Sequence, residues 1–139
     1  MSSKASFLTC AQQGVYIDCV LDPENLQYNN PKLVSFPLGP APEDVAAAVG
    51  KVMECHPALF SHFEVRDGRA MQVFADRCEA ELMVTTVEDD EIEASKRAFI
   101  RPFDIEHGPL YRAEVLASPS GAVLLMDFHH LVYDGASLD

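Results

Sequence analysis

The spacing of apolar and polar residues along the chain predicts three helices. Thr9 stands three residues before Gln12, the spacing of a capping box, and begins a helix over residues 9–21. Pro42 at a first-turn position, followed by acidic residues and then by valines at helical spacing, begins a second helix. A third helix is predicted over residues 89–100, because acids begin it and basic residues end it, as the helix dipole favours.

Between these helices the pattern predicts strands. Residues 32–38 alternate as a strand, and their proline favours the edge of a sheet or the end of the strand. The pair Asp67-Gly68 lies inside residues 59–75 and is a strong signal for a β-hairpin. Further strands are predicted over residues 81–87, 109–117 and 122–128. Because tight turns join several strands, the pattern indicates an α+β fold with a mixed, largely antiparallel sheet and packed helices.

Length, composition and charge narrow the classes of function. The chain has 139 residues, of which 48% are hydrophobic, and this is enough for one domain with a core. Its net charge of −12 repels nucleic acid and anionic lipid, so neither is an expected partner. The N-terminus lacks the pattern of a secretory signal, and no apolar run approaches the roughly 20 residues of a membrane span. We therefore expect a cytoplasmic protein.

The four cysteines suggest no metal site. Cys10, Cys19, Cys55 and Cys78 are widely spaced, without the close pairs that a zinc site requires. We expect them to be free, mostly buried thiols in a reducing compartment.

The candidate chemistry lies in the last residues, "FHHLVYDGASLD". Both faces of the preceding strand are mainly apolar, which predicts a central strand covered on both sides. His129 and His130 stand where this strand leaves the sheet. Adjacent side chains on a strand point to opposite faces, so at most one of the two rings faces a given substrate.

The residues alone leave three interpretations of this segment open. In the first interpretation, both histidines are hydrogen-bonded core residues and Asp134-Gly135 is only a turn. In the second, the segment binds a metal, although divergent histidines are poorly arranged for this. In the third interpretation, one histidine is a general base and the glycine lets a backbone N–H approach an oxyanion.

The pattern His-His-x-x-x-Asp-Gly resembles a motif of the condensation domains of nonribosomal peptide synthetases. It is also similar to the His-x-x-x-Asp-Gly motif of the wider chloramphenicol acetyltransferase-like superfamily. Three more segments resemble motifs of these domains, in the order in which the family has them: "LTCAQQGVY", "HPALFSHFEVRDGRAMQV" and "RPFDIEHGPLYRAEV". The resemblance runs from about residue 8 to the end of the chain.

This resemblance implies one lobe of a two-lobed, chloramphenicol acetyltransferase-like fold. Residues 1–139 would be the N-terminal lobe of a condensation domain, ending just after the motif. The missing C-terminal lobe would be a partner, and an isolated lobe would be inactive because the family's active site lies between two lobes. We also expect an apolar face where the second lobe belongs, and self-association through that face.

The resemblance further implies an amide-forming acyl transfer. The substrates would be a donor thioester and an acceptor amine on upstream and downstream peptidyl carrier proteins. Both would be held by phosphopantetheine, with no cofactor bound directly by this chain. His130 would accept or orient the proton of the amine, and the backbone N–H of Gly135 would approach the oxyanion. His129 would be structural, and Asp134 would hold the loop in shape.

The sequence departs from the family at one position. The family usually has an arginine where Phe60 stands, and that arginine is the candidate partner of the motif aspartate. Either Arg101 or Arg112 would replace it, or backbone N–H groups would hold the loop. Two other functions remain open: an epimerisation domain of the same superfamily, and a non-catalytic lobe that docks carrier proteins or serves as a scaffold.

Overall fold

The computed structural model describes residues 3–37 and 39–133 of the chain. Its helices are α1 (Cys10–Leu21), α2 (Pro42–Glu54) and α3 (Ile92–Phe99). Its strands are β1 (Ala5–Phe7), β2 (Asn29–Phe36), β3 (Ser61–Arg66), β4 (Arg69–Phe74), β5 (Met83–Thr86), β6 (Tyr111–Ser118) and β7 (Gly121–His129).

The three predicted helices are confirmed. Thr9 caps α1 through a complete capping box, in which its side chain accepts from the backbone of Gln12 and Gln12 accepts from Thr9. Pro42 begins α2 as predicted, and a 3₁₀ turn over Asp89–Glu91 leads into α3. Local signals therefore determine where α1 and α2 begin, whereas α3 begins at Ile92, three residues after the predicted start.

The strands form two sheets. The smaller sheet has the order β1-β4-β3 and is antiparallel, and the larger has the order β2-β7-β6-β5. In the larger sheet β5 and β6 are parallel, with α3 between them in the chain, and the other two pairs are antiparallel. The α+β class with mixed, largely antiparallel pairing is confirmed. The sequence pattern did not predict β1, which has three residues.

Strand β7 is the central strand that the sequence predicts. It pairs with β2 on one side and β6 on the other. On one face Leu124 packs with Val45 of α2, and on the other Leu125 packs with Phe99 of α3. Helices on both faces explain why the sequence of β7 is almost continuously apolar.

The strand boundaries differ from the sequence prediction by one to three residues, and the starts of β3 and β2 are two examples. The predicted hairpin strand begins at residue 59, whereas Pro57–Phe60 form a 3₁₀ turn and β3 begins at Ser61. Strand β2 has the predicted edge position but begins at Asn29, three residues early, because its first residues pair with the end of β7. In the hairpin, Asp67 and Gly68 have φ of 49° and 75°, the left-handed conformations that a two-residue turn requires.

An apolar cluster joins the smaller sheet to the end of β7. Its buried members are Leu8, Cys19, Phe63, Ile105, Leu110 and Leu131. Backbone hydrogen bonds follow the same path, since Leu110 donates to Leu59 (3.0 Å) and His129 donates to Leu110 (3.0 Å). The end of β7 is therefore fixed by both sheets. Among the residues described, no helix has the length and apolar character to cross a membrane.

The expectation of mostly buried cysteines is wrong, although all four thiols are free. Cys19 is buried, Cys78 is half-buried, and Cys10 and Cys55 are exposed. Cys10 begins α1 and Cys55 follows the last residue of α2. Both lie at helix ends, where side chains are open to solvent.

Candidate functional site

His129 is the last residue of β7, and His130 begins the tight turn that follows it. The backbone N–H of His130 donates to the carbonyl of Tyr28 (3.0 Å), and Val132 donates to the carbonyl of His129 (3.0 Å). The first bond ties the turn to the residue before β2, and the second closes the turn itself. This backbone fixes where each imidazole ring leaves the chain.

The ring of His129 is buried, with 4% of its surface exposed. Its Nδ1 accepts the backbone N–H of Leu131 (3.1 Å), so in a neutral ring the hydrogen is on Nε2. Nε2 lies 3.5 Å from Sγ of Cys19. Burial, followed by the charges of His130 and Arg112, lowers the pKa of His129 from 6.5 to about 4. The ring is therefore neutral at physiological pH.

Aromatic rings surround His129. Phe103 meets it edge-on, with ring centroids 5.6 Å apart and an interplanar angle of 88°, and Tyr28 lies 6.2 Å away. A cavity of about 440 Å³ between the end of α1 and residues 102–106 reaches one edge of the ring. These contacts hold the ring in place and leave its nitrogens bound to protein atoms.

His130, by contrast, is exposed. Its ring contacts Tyr28 edge-on (6.3 Å between centroids) and borders a cavity of about 260 Å³. Gln12 of α1 and Gln72 of β4 line the same cavity, as does Tyr133. The two histidines thus differ in exposure, and His130 is the one that solvent and a second molecule can reach.

A glutamine from the other end of the chain holds the turn. The Nε2 of Gln12 donates to the carbonyl of Leu131 (2.9 Å), across 119 residues of sequence. The Oε1 of the same amide accepts the backbone N–H of Thr9 (3.0 Å). The residue that caps α1 and the residue that follows His130 are therefore connected through one side chain.

A buried ion pair joins β7 to β6, two residues before His129 on β7. Asp127 has no exposed surface, and Arg112 of β6 lies 3.4 Å from its Oδ2. Asp127 also accepts from the side chain of Asn29 (2.8 Å) and the backbone of Asn30 (3.0 Å). Burial raises the pKa of Asp127, and these bonds oppose that shift. Burial lowers the pKa of Arg112 to about 10, so the guanidinium remains charged at neutral pH.

Arg112 links this ion pair to the aromatic wall around His129. Its Nη1 donates to the carbonyl of Arg101 (2.6 Å), its Nη2 donates to that of Pro102 (3.0 Å), and its guanidinium lies 3.8 Å from the centre of the Phe103 ring. Arg112 therefore holds the segment that carries Phe103. The sequence had one signal for Asp127, a single acid in an otherwise apolar strand, which requires a buried partner.

Phe60 and Arg112, two residues singled out in the sequence, are bound to groups other than those expected. Phe60 packs edge-on against Tyr111, with centroids 5.2 Å apart. Arg112 was a candidate partner of Asp134, and its guanidinium is bound to Asp127 and to backbone carbonyls. Asp134 and Gly135 lie outside the described residues, so their predicted roles stay predictions. Within residues 3–37 and 39–133, no three His, Cys, Asp or Glu side chains converge as metal ligands would.

Comparisons with known proteins agree with this arrangement. The family model of the condensation domain matches residues 2–139. The chain is 33% identical over 132 residues to bacitracin synthase 3 of Bacillus licheniformis, covering 94% of this chain and 2% of that protein. It is 30% identical over 128 residues to surfactin synthase subunit 1 of Bacillus subtilis (strain 168), covering 91% of this chain and 4% of that protein.

Solved structures share the fold. The starter condensation domain of rhizomide synthetase RzmA superposes with a TM-score of 0.82 at 21% identity, covering 98% of this chain and 35% of that one. The first condensation domain of the CDA synthetase gives 0.80 at 18% identity, covering 99% and 38%. The fold is thus of the chloramphenicol acetyltransferase-like class.

The family follows from the match over nearly the whole chain. This protein belongs to the condensation domain family of nonribosomal peptide synthetases. The chain spans only a small part of its curated relatives and about a third of the similar structures.

Proposed function

We propose that this chain is the N-terminal lobe of a condensation domain and that His130 serves amide bond formation. The observation that carries the proposal is the contrast within the histidine pair. His129 is buried and neutral, with both nitrogens in contact with protein atoms, whereas His130 is exposed beside a cavity at the end of β7.

In the proposed reaction, the nitrogen of an acceptor amine attacks the carbonyl carbon of a donor thioester. The new C–N bond forms, the C–S bond breaks, and the thiol of the donor's phosphopantetheine arm leaves with the proton that the amine loses. His130 accepts or orients that proton through a ring nitrogen of its imidazole. The donor and acceptor are held by peptidyl carrier proteins, and no cofactor binds this chain directly.

The other residues of the motif have supporting roles in this proposal. His129 holds the turn, because it accepts from the backbone of Leu131 and packs against Phe103. Asp134 shapes the following loop, and the backbone N–H of Gly135 approaches the oxyanion of the tetrahedral intermediate. Such a donor is worth roughly 3 kcal/mol where it has been removed in other enzymes. A second lobe closes the site.

The test is a condensation assay with the complete domain that contains this chain. Donor and acceptor carrier proteins are loaded with aminoacyl groups, and product on the acceptor carrier is followed by intact-protein mass spectrometry. His130→Ala is expected to lower the rate about 10²- to 10⁴-fold, the usual contribution of a general base. His107→Ala is the matched control, since His107 is exposed and its ring pairs with Asp104.

Three outcomes separate the alternatives. Loss of rate in His130→Ala with an unchanged control supports the proposal. If His130→Ala turns over at the wild-type rate, His130 has no role in the mechanism. If the wild-type domain binds loaded carriers but forms no amide bond, the docking or scaffold function is supported instead.

A further inference from the structure

Three polar side chains form a hydrogen-bonded series that runs from the smaller sheet to the turn of His130. Ser61 of β3 and Gln72 of β4 are buried, with 0% and 6% of their surface exposed. Gln72 Nε2 donates to Ser61 Oγ (2.9 Å), and Gln12 Nε2 donates to Gln72 Oε1 (3.4 Å). Gln12 in turn holds the carbonyl of Leu131, the residue after His130.

The direction of this series is fixed at its buried end. The hydroxyl of Ser61 has one hydrogen, which it donates to the carbonyl of Ala58 (2.6 Å). Ser61 Oγ therefore accepts from Gln72, and the amide nitrogen of Gln72 faces Ser61. The Gln72 oxygen must then face Gln12, because a flipped amide would place two N–H donors against each other.

This arrangement satisfies the amide of Gln12 completely. Its oxygen accepts from Thr9, and its nitrogen donates one hydrogen to Leu131 and the other to Gln72. Without the Gln72 oxygen, one N–H of Gln12 loses its partner, and rotation of the amide competes with the bond to Leu131. The series therefore determines how firmly the backbone beside His130 is held.

Buried polar pairs are a poor way to gain stability. Replacing both partners of a buried hydrogen bond by apolar groups of similar shape is often nearly neutral for folding. What a fully satisfied polar series supplies is one defined geometry. The polar groups of Ser61 and Gln72 therefore contribute more to holding the Gln12 side chain in place than to the stability of the sheet.

We propose that Gln72 and Ser61 are positioning residues for the reaction at His130. They act through Gln12 on the carbonyl of Leu131, and so on the backbone that carries the His130 ring. This inference rests on the proposed function of His130 and adds to it two residues that lie in the other sheet.

The first measurement is steady-state condensation by the complete domain carrying Gln72→Met or Ser61→Ala. We expect kcat to fall about tenfold in Gln72→Met and less in Ser61→Ala, where Gln72 keeps its bond to Gln12. KM for the loaded acceptor carrier is expected to stay within about twofold of the wild-type value, because positioning affects the geometry of the reacting groups and not the binding of the carrier. Gln13→Met is the matched control, since Gln13 is the exposed neighbour of Gln12 on α1.

The second measurement uses NMR on the 139-residue chain and needs no catalysis. In the wild type both side-chain N–H groups of Gln12 are bonded, so their exchange with water is slow. In Gln72→Met that exchange becomes faster, whereas in Gln13→Met it is unchanged. Thermal unfolding of each variant shows whether the fold is retained, and the double variant Ser61→Ala/Gln72→Met is expected to unfold near the wild-type temperature.

The outcomes distinguish this inference from the proposed function. Faster exchange at Gln12 together with a lower kcat supports positioning. If exchange rises but kcat equals that of the wild type, or if exchange does not change, the positioning role is overturned while His130 keeps its own. If the wild-type domain forms no amide bond, the proposed function fails, and this inference fails with it.

Discussion

The ring of His129 and the backbone of Leu131 form a hydrogen bond that spans two residues, from the N–H of Leu131 to Nδ1 (3.1 Å). Because Nδ1 is an acceptor, the hydrogen of the neutral ring is on Nε2, which faces the sulfur of Cys19. Protonating Nδ1 would break the bond to Leu131 and place a charge among apolar groups. The buried histidine therefore maintains the turn only in its neutral form.

This relationship predicts that the folded chain loses stability in mild acid. The pKa of His129 is about 4 in the fold, against 6.5 for an ordinary histidine. Between these pH values the unfolded chain binds a proton that the folded chain does not. The free energy of unfolding is therefore highest above pH 6.5 and falls as the pH drops to 4, by on the order of 3 kcal/mol. Urea unfolding at several pH values measures it.

Two variants isolate the contribution of His129 to this pH dependence. His129→Gln is expected to flatten the curve between pH 6.5 and 4.5, although it lowers the stability at neutral pH. His56→Gln is the matched control, because His56 is exposed, and it should keep the wild-type fall. A wild-type chain whose stability is constant over this window would refute the burial of a neutral ring.

The ion pair of Arg112 and Asp127 predicts an unequal response to single and double substitution. Arg112→Met leaves a carboxylate with no exposed surface without its cation, and should cost about 3–5 kcal/mol of unfolding free energy. Adding Asp127→Leu removes the buried charge and should restore much of that loss. The chain has no tryptophan, so urea unfolding is followed by circular dichroism. A double variant as unstable as the single one contradicts this account.

Two glycines in helices predict opposite effects of alanine. A Cβ at Gly14 of α1 meets nothing within 4 Å, so Gly14→Ala should stabilise the chain by about 0.5–1 kcal/mol. At Gly50 of α2 a Cβ would lie 2.9 Å from the carbonyl oxygen of Ala80. Gly50→Ala should therefore destabilise it by about 1–3 kcal/mol.

The shift in the midpoint of thermal unfolding of each variant measures the change in stability that the substitution causes. Each glycine serves as the control for the other, because the change in helix propensity is the same. A rise in the midpoint for Gly50→Ala would show that α2 does not approach Ala80 this closely.

Thiol labelling is expected to separate the four cysteines. Cys10 and Cys55 are exposed and should react with iodoacetamide first. Cys19 should react slowly, because it is buried and because burial raises the pKa of its thiol, which reduces the reactive thiolate. Peptide mass spectrometry after timed labelling gives the order, and all four should react in denaturant. Early labelling of Cys19 in the folded chain would contradict its packing against His129.

Several elements were predictable because their signals are local. Helix α2 has a proline in its first turn and valines at helical spacing, and the hairpin has Asp67-Gly68 between alternating residues. The central position of β7 followed from its apolar residues on both faces.

Other features were outside the reach of local patterns. Strand β1 has only three residues and is defined by its pairing with β4. Residues 57–60 form a 3₁₀ turn that includes the first two residues of the predicted hairpin, 59 and 60, and the backbone of Leu59 contacts Leu110 in that geometry. These elements depend on neighbours that are far away in the sequence.

The sequence by itself determined the α+β class, the helices, the central strand and the resemblance to condensation domains, because helix caps, turn residues and apolar spacing act over a few residues. Only the tertiary structure decided which histidine is buried, which partner neutralises Asp127, and that Gln12 reaches both Gln72 and Leu131. The physical reason is that burial and hydrogen bonding depend on groups brought together by packing. In this protein those groups are separated by up to 119 residues.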